Sequence, residues 1–320
     1  MTKLIVGFDG KHPPREVAAL ASRGLLAGVC LFARNFESSD ELRALVREVV
    51  ALFPDGPPPL IAVDQEGGPV QRLKAPRTPE VATVAAMGEL AATTDPAGFE
   101  RLGAAMGADL RAFGINVDFA PVLDVDTNPA NPVIGKRAFG KTPEDVIARA
   151  LPFARGLRSA GVMPCGKHFP GHGDTVSDSH VSLPRLAHRP ERLAAIELPP
   201  FAAAVRAGFP LIMTAHVVFE ALDAERPATL SPRVVPTILR RAWGYDGVVV
   251  SDDLDMAAVK GAFDLNAIAR GLGAAEVDLA LVCLDLAFAE ELAQRLAPSA
   301  RAAERVARLR QALSFPTRTA

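Results

Sequence analysis

Between Pro164 and Pro184 the chain reads Pro-Cys-Gly-Lys-His-Phe-Pro-Gly-His-Gly-Asp-Thr-Val-Ser-Asp-Ser-His-Val-Ser-Leu-Pro. Lys167, His168, His172, Asp174, Asp178 and His180 crowd into this stretch among glycines, prolines and hydroxyls. Gly166, Pro170, Gly171 and Gly173 break any helical period, so the segment reads as a shaped loop. Loops that gather ionisable side chains on a rigid scaffold are where chemistry is usually done. One chemistry is metal binding, with His168 and His172 four apart and Asp174, Asp178 and His180 available to complete a shell. That spacing normally works because a helix stacks the two rings, and Pro170-Gly171 forbids the helix; loop ligands stay open. The other chemistry is general acid/base. On extended chain Asp178 and His180 share a face, so the carboxylate can hold the imidazole's tautomer and raise its pKa. A histidine so placed gives and takes a proton near neutral pH. A structural loop with solvated histidines accounts for any one of these residues and poorly for all of them together.

Other segments carry chemistry-bearing residues at the ends of apolar runs. Ser251-Asp252-Asp253-Leu254-Asp255-Met256 follows Gly247-Val-Val-Val. Asp253 and Asp255 suit the first turn of a helix, whereas Asp252, directly after the apolar run, sits where a barrel enzyme places working groups. Asp64-Gln-Glu-Gly-Gly-Pro-Val-Gln-Arg72 sets an acceptor and a planar donor around a glycine pair, which suits the vicinal hydroxyls of a sugar. A solvated loop with a salt bridge is the alternative. Ile134–Gly140 adds a candidate cation, Arg137, and His216 ends another apolar run as either a core or a site residue. No Gly-x-Ser-x-Gly elbow is present, which weakens a serine-hydrolase reading.

The positioning elements follow from periodicity. Eight short apolar runs (Leu4–Phe8, Gly28–Phe32, Leu60–Val63, Val117–Val125, Gly161–Cys165, Leu211–Ala215, Gly247–Ser251 and Val277–Cys283) alternate with amphipathic stretches. The latter predict helices over Asp40–Phe53, Gly98–Phe113, Pro143–Ala160, Pro232–Trp243 and Leu265–Leu272, then Leu286–Leu296 and Ser299–Leu313. A further helix over Glu191–Ala207 is expected to break at Pro199-Pro200. Ser39 or Asp40, Thr142, Ser231 and Ser299 are the expected N-caps. Strict alternation implies parallel βαβ units. Asp9, Arg34, Asp64, Asp124, Lys167, His216 and Asp252 all follow apolar runs and would converge on one mouth of a barrel, and no Gly-x-Gly-x-x-Gly supports a dinucleotide fold. The expected fold is an α/β single-domain (β/α)8 barrel spanning residues 1–320.

Composition sets the class. The chain has 320 residues, is 49% apolar with one Trp and one Tyr, and carries a formal charge of −2. Interspersed charges give no footprint for nucleic acid or a membrane surface. Cys30, Cys165 and Cys283 are an odd, scattered set that reads as buried thiols in a reducing compartment, and the short N-terminal apolar run is no signal peptide. A cytoplasmic location is expected.

Taken together, Asp64–Arg72, Lys167–Pro184, Met213–His216 and Ser251–Met256 resemble glycoside hydrolase family 3, and within it the single-domain bacterial β-N-acetylglucosaminidases that cut N-acetylglucosamine from cell-wall fragments. The order extends from Gly7-Phe-Asp9 and Leu31–Asn35 to the C-terminal helices, and the Lys-His-Phe-x-Gly-His-Gly-x-Thr…Asp-Ser-His run separates this subgroup from β-glucosidases. The resemblance implies Asp252 as nucleophile and the Asp178–His180 dyad as acid/base. Asp64, Arg72, Arg137, Lys167 and His168 would hold the sugar, with His216 close by. It implies a small amino-sugar glycoside as the partner, a muropeptide or chitooligosaccharide, and neither metal nor organic cofactor. Pro69, where the family often has Arg, and Lys136, where it commonly has an acid, bear on the leaving-group preference. A phosphorylase on the same site and a non-catalytic amino-sugar binding protein are the alternatives; the latter would need neither Asp252 nor His180.

Overall fold

The eight apolar runs become eight parallel strands of a closed barrel. In the computed structural model, which describes residues 3–176 and 183–313, these are β1 (Lys3–Val6), β2 (Leu26–Leu31), β3 (Leu60–Val63), β4 (Val117–Asp118), β5 (Met163–Phe169), β6 (Leu211–Thr214), β7 (Val248–Asp253) and β8 (Leu279–Val282). Each pairs with its sequence neighbour, and β8 closes on β1 in the register Lys3–Leu279 to Val6–Val282. The expected (β/α)8 architecture is the one formed.

Period-two alternation sorts the strands' side chains. Ile5, Cys30, Ala62, Val117, Cys165, Leu211, Val250 and Leu279 form one cluster inside the barrel. Leu4, Val29, Ile61, Ile212, Val249 and Ala280 join the layer between barrel and helices. That layer is covered by α1 (Arg15–Ser22), α2 (Ser39–Ala51), α3 (Pro96–Ala112), α4 (Pro143–Ser159), α5 (Leu198–Arg206), α6 (Val235–Ala242), α7 (Leu265–Ala274) and α8 (Leu286–Arg295). One more helix, α9 (Ala300–Ala312), is capped by the Ser299 hydroxyl and sets Val306, Leu309 and Leu313 against the inner cluster. Its Arg305 and Arg310 reach Asp246 and Pro58, just ahead of β7 and β3, so α9 closes the N-terminal end of the barrel. No helix among the described residues is long and apolar enough to cross a membrane.

Several local expectations are corrected. Lys167 and His168 belong to strand β5 rather than to a loop; Gly166 is tolerated in it because its neighbours on both sides supply parallel partners. The chain is not broken at Pro199-Pro200. It runs helically from Pro190 to Arg206 through an i→i+5 turn at Leu193–Glu197, and the prolines fall in the first turn of α5, where a missing N–H costs no bond. The cap of α2 is Ser38, whose hydroxyl accepts from the Glu41 N–H, not Ser39 or Asp40. Ser231 accepts from the Arg233 N–H in a turn ahead of α6 and does not cap the helix. Thr142 caps α4 as expected.

Helices α3 and α4 pack through glycines. A Cβ on Gly103 would meet the Phe153 carbonyl oxygen at 2.1 Å, and one on Gly156 would meet the Glu100 oxygen at 2.1 Å. Gly103→Ala should therefore lower stability by about 1–3 kcal/mol through overpacking. Urea denaturation measures this, and an unchanged midpoint would contradict the close packing.

Candidate active site

Alternation along the strands continues past their C-terminal ends and decides which side chains enter the mouth. Leu60, Ala62 and Asp64 share the inward face, as do Cys165 and Lys167, Val248, Val250 and Asp252, and Leu281 and Cys283. Of these, Asp64, Lys167, Asp252, Leu281 and Cys283, at the strand ends, line a cavity of about 210 Å³ together with Glu66, Arg72, Arg137, His168, His172 and Asp253 and the apolar Phe32, Phe119, Met213 and Met256.

One part of the wall is an ion cluster. The Lys167 ammonium donates to Asp64 Oδ1 at 2.8 Å and lies 2.5 Å from Glu66 Oε1. Arg137 donates to both Glu66 oxygens, at 2.8 and 2.9 Å, and Arg72 reaches Asp64 Oδ2 at 3.3 Å. Burial alone would neutralise these groups. The Lys167 and Arg72 charges outweigh it at Asp64, and Arg137 and Lys167 do so at Glu66, holding both carboxyls below their usual range. The same carboxylates outweigh burial at Lys167 and raise its pKa. Asp64, Glu66, Lys167, Arg72 and Arg137 are therefore ionised together, an array of charged acceptors and donors of the kind that can hold hydroxyl groups.

The second part hangs on Asp124. Its Oδ1 accepts the backbone N–H groups of His168 at 3.1 Å and His172 at 2.7 Å, and its Oδ2 takes the His168 Nδ1–H at 2.7 Å. Burial opposes the charged form, but the His168 ring and these donors keep Asp124 ionised. The His168 tautomer is thereby fixed, with Nε2 as the remaining polar atom. His172 sits edge-on to His168, ring centroids 5.9 Å apart, and bonds the Thr175 hydroxyl through Nδ1 at 2.9 Å. Burial, and then the His168 charge, lower its pKa to about 4, so its ring is neutral. Gly173 allows the close approach here, since a Cβ would fall 1.8 Å from the Val125 oxygen.

Asp252 closes the cavity. One of its oxygens accepts the Asp253 N–H at 2.8 Å. Burial pushes its carboxyl up, but His168, His216, that N–H and Lys167 together hold it lowered and ionised. Asp253 differs in kind. Its Oδ1 accepts the Asp255 and Cys283 N–H groups, both at 3.0 Å, and burial lifts its pKa to about 6. The two carboxyls of the cavity thus differ: Asp252 takes one backbone N–H and stays ionised, whereas Asp253 is held by two, and a carboxylate of the first kind is the better equipped for nucleophilic chemistry.

Asp64, Arg72, Arg137, Lys167, His168 and Asp252 thus come together around one cavity. His216 stands behind it: fully buried, it donates from Nε2 to the Asp253 carbonyl at 3.0 Å and meets Thr229 Oγ1 through Nδ1 at 2.8 Å, bracing the end of β7. Asp178 and His180 lie outside the described residues. The metal arrangement does not assemble among the described residues: His168 and His172 are committed as above, and Asp174 turns to His188 and Arg192. All three thiols are free and buried, and burial drives the Cys165 pKa well up, which suits an inert core thiol. Lys136 points to Glu89 at 2.8 Å on the outside of the mouth. Glu66 carries weight that reading the sequence missed, and Asp124, expected there only as one of the polar groups at the mouth, anchors His168 and His172. Glu66 stands two residues past Asp64, the spacing of one strand face, and that was the available signal.

Comparison with known proteins places the chain in a family. Residues 4–312 match the profile of the Glycosyl hydrolase family 3 N terminal domain. A Beta-hexosaminidase of Methylococcus capsulatus is 46% identical over 256 residues, covering 80% of this chain and 75% of that protein. A glycoside hydrolase family 3 beta-N-acetylglucosaminidase from Paenibacillus superposes with a TM-score of 0.92 at 36% identity, covering 97% of this chain but 61% of that longer one. NagZ from Neisseria gonorrhoeae, solved in complex with N-trifluoroacetyl-D-glucosamine, superposes with a TM-score of 0.83 at 32% identity, covering 97% of this chain and 91% of its own.

The ion cluster has a measurable pH signature. A carboxyl whose folded pKa is depressed adds stability above its ordinary value, 4.5 for Glu66, and loses it as pH falls through the folded value. Glu66→Gln, which leaves Arg137 and Lys167 short of charge, should cost about 3–5 kcal/mol at neutral pH. The deficit relative to the natural protein should shrink as pH drops below 4.5. Urea midpoints at pH 7 and pH 4 measure it; a pH-independent difference would contradict the ionised wall.

Proposed function

The chain belongs to glycosyl hydrolase family 3, as a glycoside hydrolase of β-hexosaminidase type, and from that premise we propose that it is a retaining exo-β-N-acetylglucosaminidase. The observation that carries this reading is the ionised Asp252 carboxylate in a cavity whose wall is an array of charged donors and acceptors. Asp64, Arg72, Arg137, Lys167 and His168 bind the hydroxyls of a terminal N-acetylglucosamine. The ring is fixed with its anomeric carbon over Asp252. Asp252 attacks that carbon while His180, oriented and charged by Asp178, protonates the departing oxygen; the glycosyl–enzyme is then released by water, with His180 now the base. In the usual retaining pair the acid is a carboxyl about 5–5.5 Å from the nucleophile; an imidazole in its place relaxes that spacing. Cell-wall muropeptides and chitooligosaccharides are the substrate class, and the small-molecule glycoside is the only partner the reaction needs.

Chromogenic N-acetyl-β-glucosaminide and β-glucoside assayed side by side test the substrate, and a preference for the glucoside would overturn it. Asp252→Ala should abolish turnover with the fold intact, while Asp253→Asn retains it. The reverse outcome would move the nucleophile by one residue. Asp253→Asn has a second readout. Because the folded pKa of Asp253 is raised to about 6, holding its charge at neutral pH costs stability, and that cost fades as pH falls through 6. The Asn protein should be the more stable at pH 7.5 and lose that advantage by pH 4; thermal midpoints at the two pH values decide it.

A further inference from the structure

We infer that Asp174 is a positioning residue that ties together the chain before and after the segment carrying Asp178 and His180, and so supports the proton transfer proposed for His180. The inference rests on the acid/base reading of His180 given above. Asp174 does not line the cavity, and its carboxylate is fully engaged elsewhere. Oδ1 accepts the Thr127 hydroxyl at 3.0 Å, from the loop that follows β4. Oδ2 lies 2.6 Å from His188 Nε2 and 3.2 Å from Arg192 Nη2, both past the far end of the segment. The Asn128 amide donates to the Asp174 carbonyl at 3.3 Å.

Arg192 is itself held. Arg192 donates to Thr127 Oγ1 and to Glu197 Oε1, each at 3.3 Å, from the helical stretch leading into α5. One carboxylate therefore joins the β4 loop, the entry to the segment and its exit. Its side chain is 18% exposed and that of His188 is 19%, so the contact is shielded enough from water to matter more than a surface pair. On either side the chain is already fixed, by Asn131 on the His172 carbonyl and by Arg185–Leu186 pairing with Val218–Phe219. What Asp174 adds is the cross-link between the two fixed ends. Joining the ends of a loop removes conformations in which its middle points elsewhere, and general acid catalysis depends steeply on where the proton donor stands.

The test separates aim from stability. Poor leaving groups need protonation and activated aryl groups do not, so the ratio of kcat/KM for N,N′-diacetylchitobiose to that for 4-nitrophenyl N-acetyl-β-glucosaminide reports the proton donor. Asp174→Asn should lower this ratio by about tenfold or more, and Arg192→Gln, on the opposite side of the contact, should lower it in the same direction. His180→Ala is measured beside them. If His180→Ala lowers the ratio while Asp174→Asn changes both substrates equally or not at all, the inference is wrong and the acid/base reading stands. If His180→Ala leaves the ratio unchanged, the acid/base reading itself falls. Should Asp174→Asn fail to fold, Thr127→Val, which removes the Oδ1 donor and one acceptor of Arg192, carries the same expectation, and an unshifted ratio there overturns the inference.

Discussion

The Lys167 ammonium, 2% exposed and held between Asp64 and Glu66, is the interaction on which the mouth of this barrel depends. Strands β3 and β5 are not neighbours, since β4 runs between them. The ion pair bridges the gap above β4, and Arg137, arriving from the loop after β4, completes the circuit through Glu66. Three consecutive strand ends are thus joined by charge where backbone pairing has run out. Desolvating such groups is expensive, and the cost is offset only while every partner is present. Arrays of this kind are kept for what they present to a ligand rather than for stability.

The same economy of partners separates the site's carboxyls by function. Asp124 is saturated by two backbone N–H groups and a ring N–H, which makes it a fixed negative post for His168 and for the turn at His172. Asp253 is bound to backbone and half-neutralised near pH 6, while Asp252, its neighbour on the opposite face of the strand, stays charged toward the cavity. Asp118 illustrates the opposite limit. It is absent from the cavity lining, accepts the Gln65 N–H, and burial lifts its pKa well above the ordinary value. Position along a period of two, more than residue type, decides which acid does what.

Much of this was legible before any coordinates. The eight apolar runs and the polar residues that follow seven of them were enough for the barrel and for placing Asp64, Lys167 and Asp252 at one mouth, because strand ends in that fold converge. The errors cluster where a single sequence carries no local signal. Gly166 and Pro170 suggested loop, yet tertiary pairing on both sides extends β5 through Lys167 and His168 to Phe169. Pro199-Pro200 suggested a break, and a widened turn absorbed it instead. Glu66 was passed over, and Asp124 was placed at the mouth without a role, because their importance lies in partners 71 and 44 residues away. His216 was legible as a strand-end histidine, but only the packing of Thr229 and Asp253 around it distinguishes a brace from a lining residue.

The helix that stops the lower end of the barrel has a bearing on traffic. With Val306, Leu309 and Leu313 packed against the inner cluster at that end, the cavity of about 210 Å³ has a closed floor among the described residues. On the exo-acting reading proposed above, a long glycan would enter by its tip and could not thread through, so the remaining polymer would be let go before its next unit is engaged. Trimming of that kind would be distributive: a population of chains shortens together, one unit per encounter.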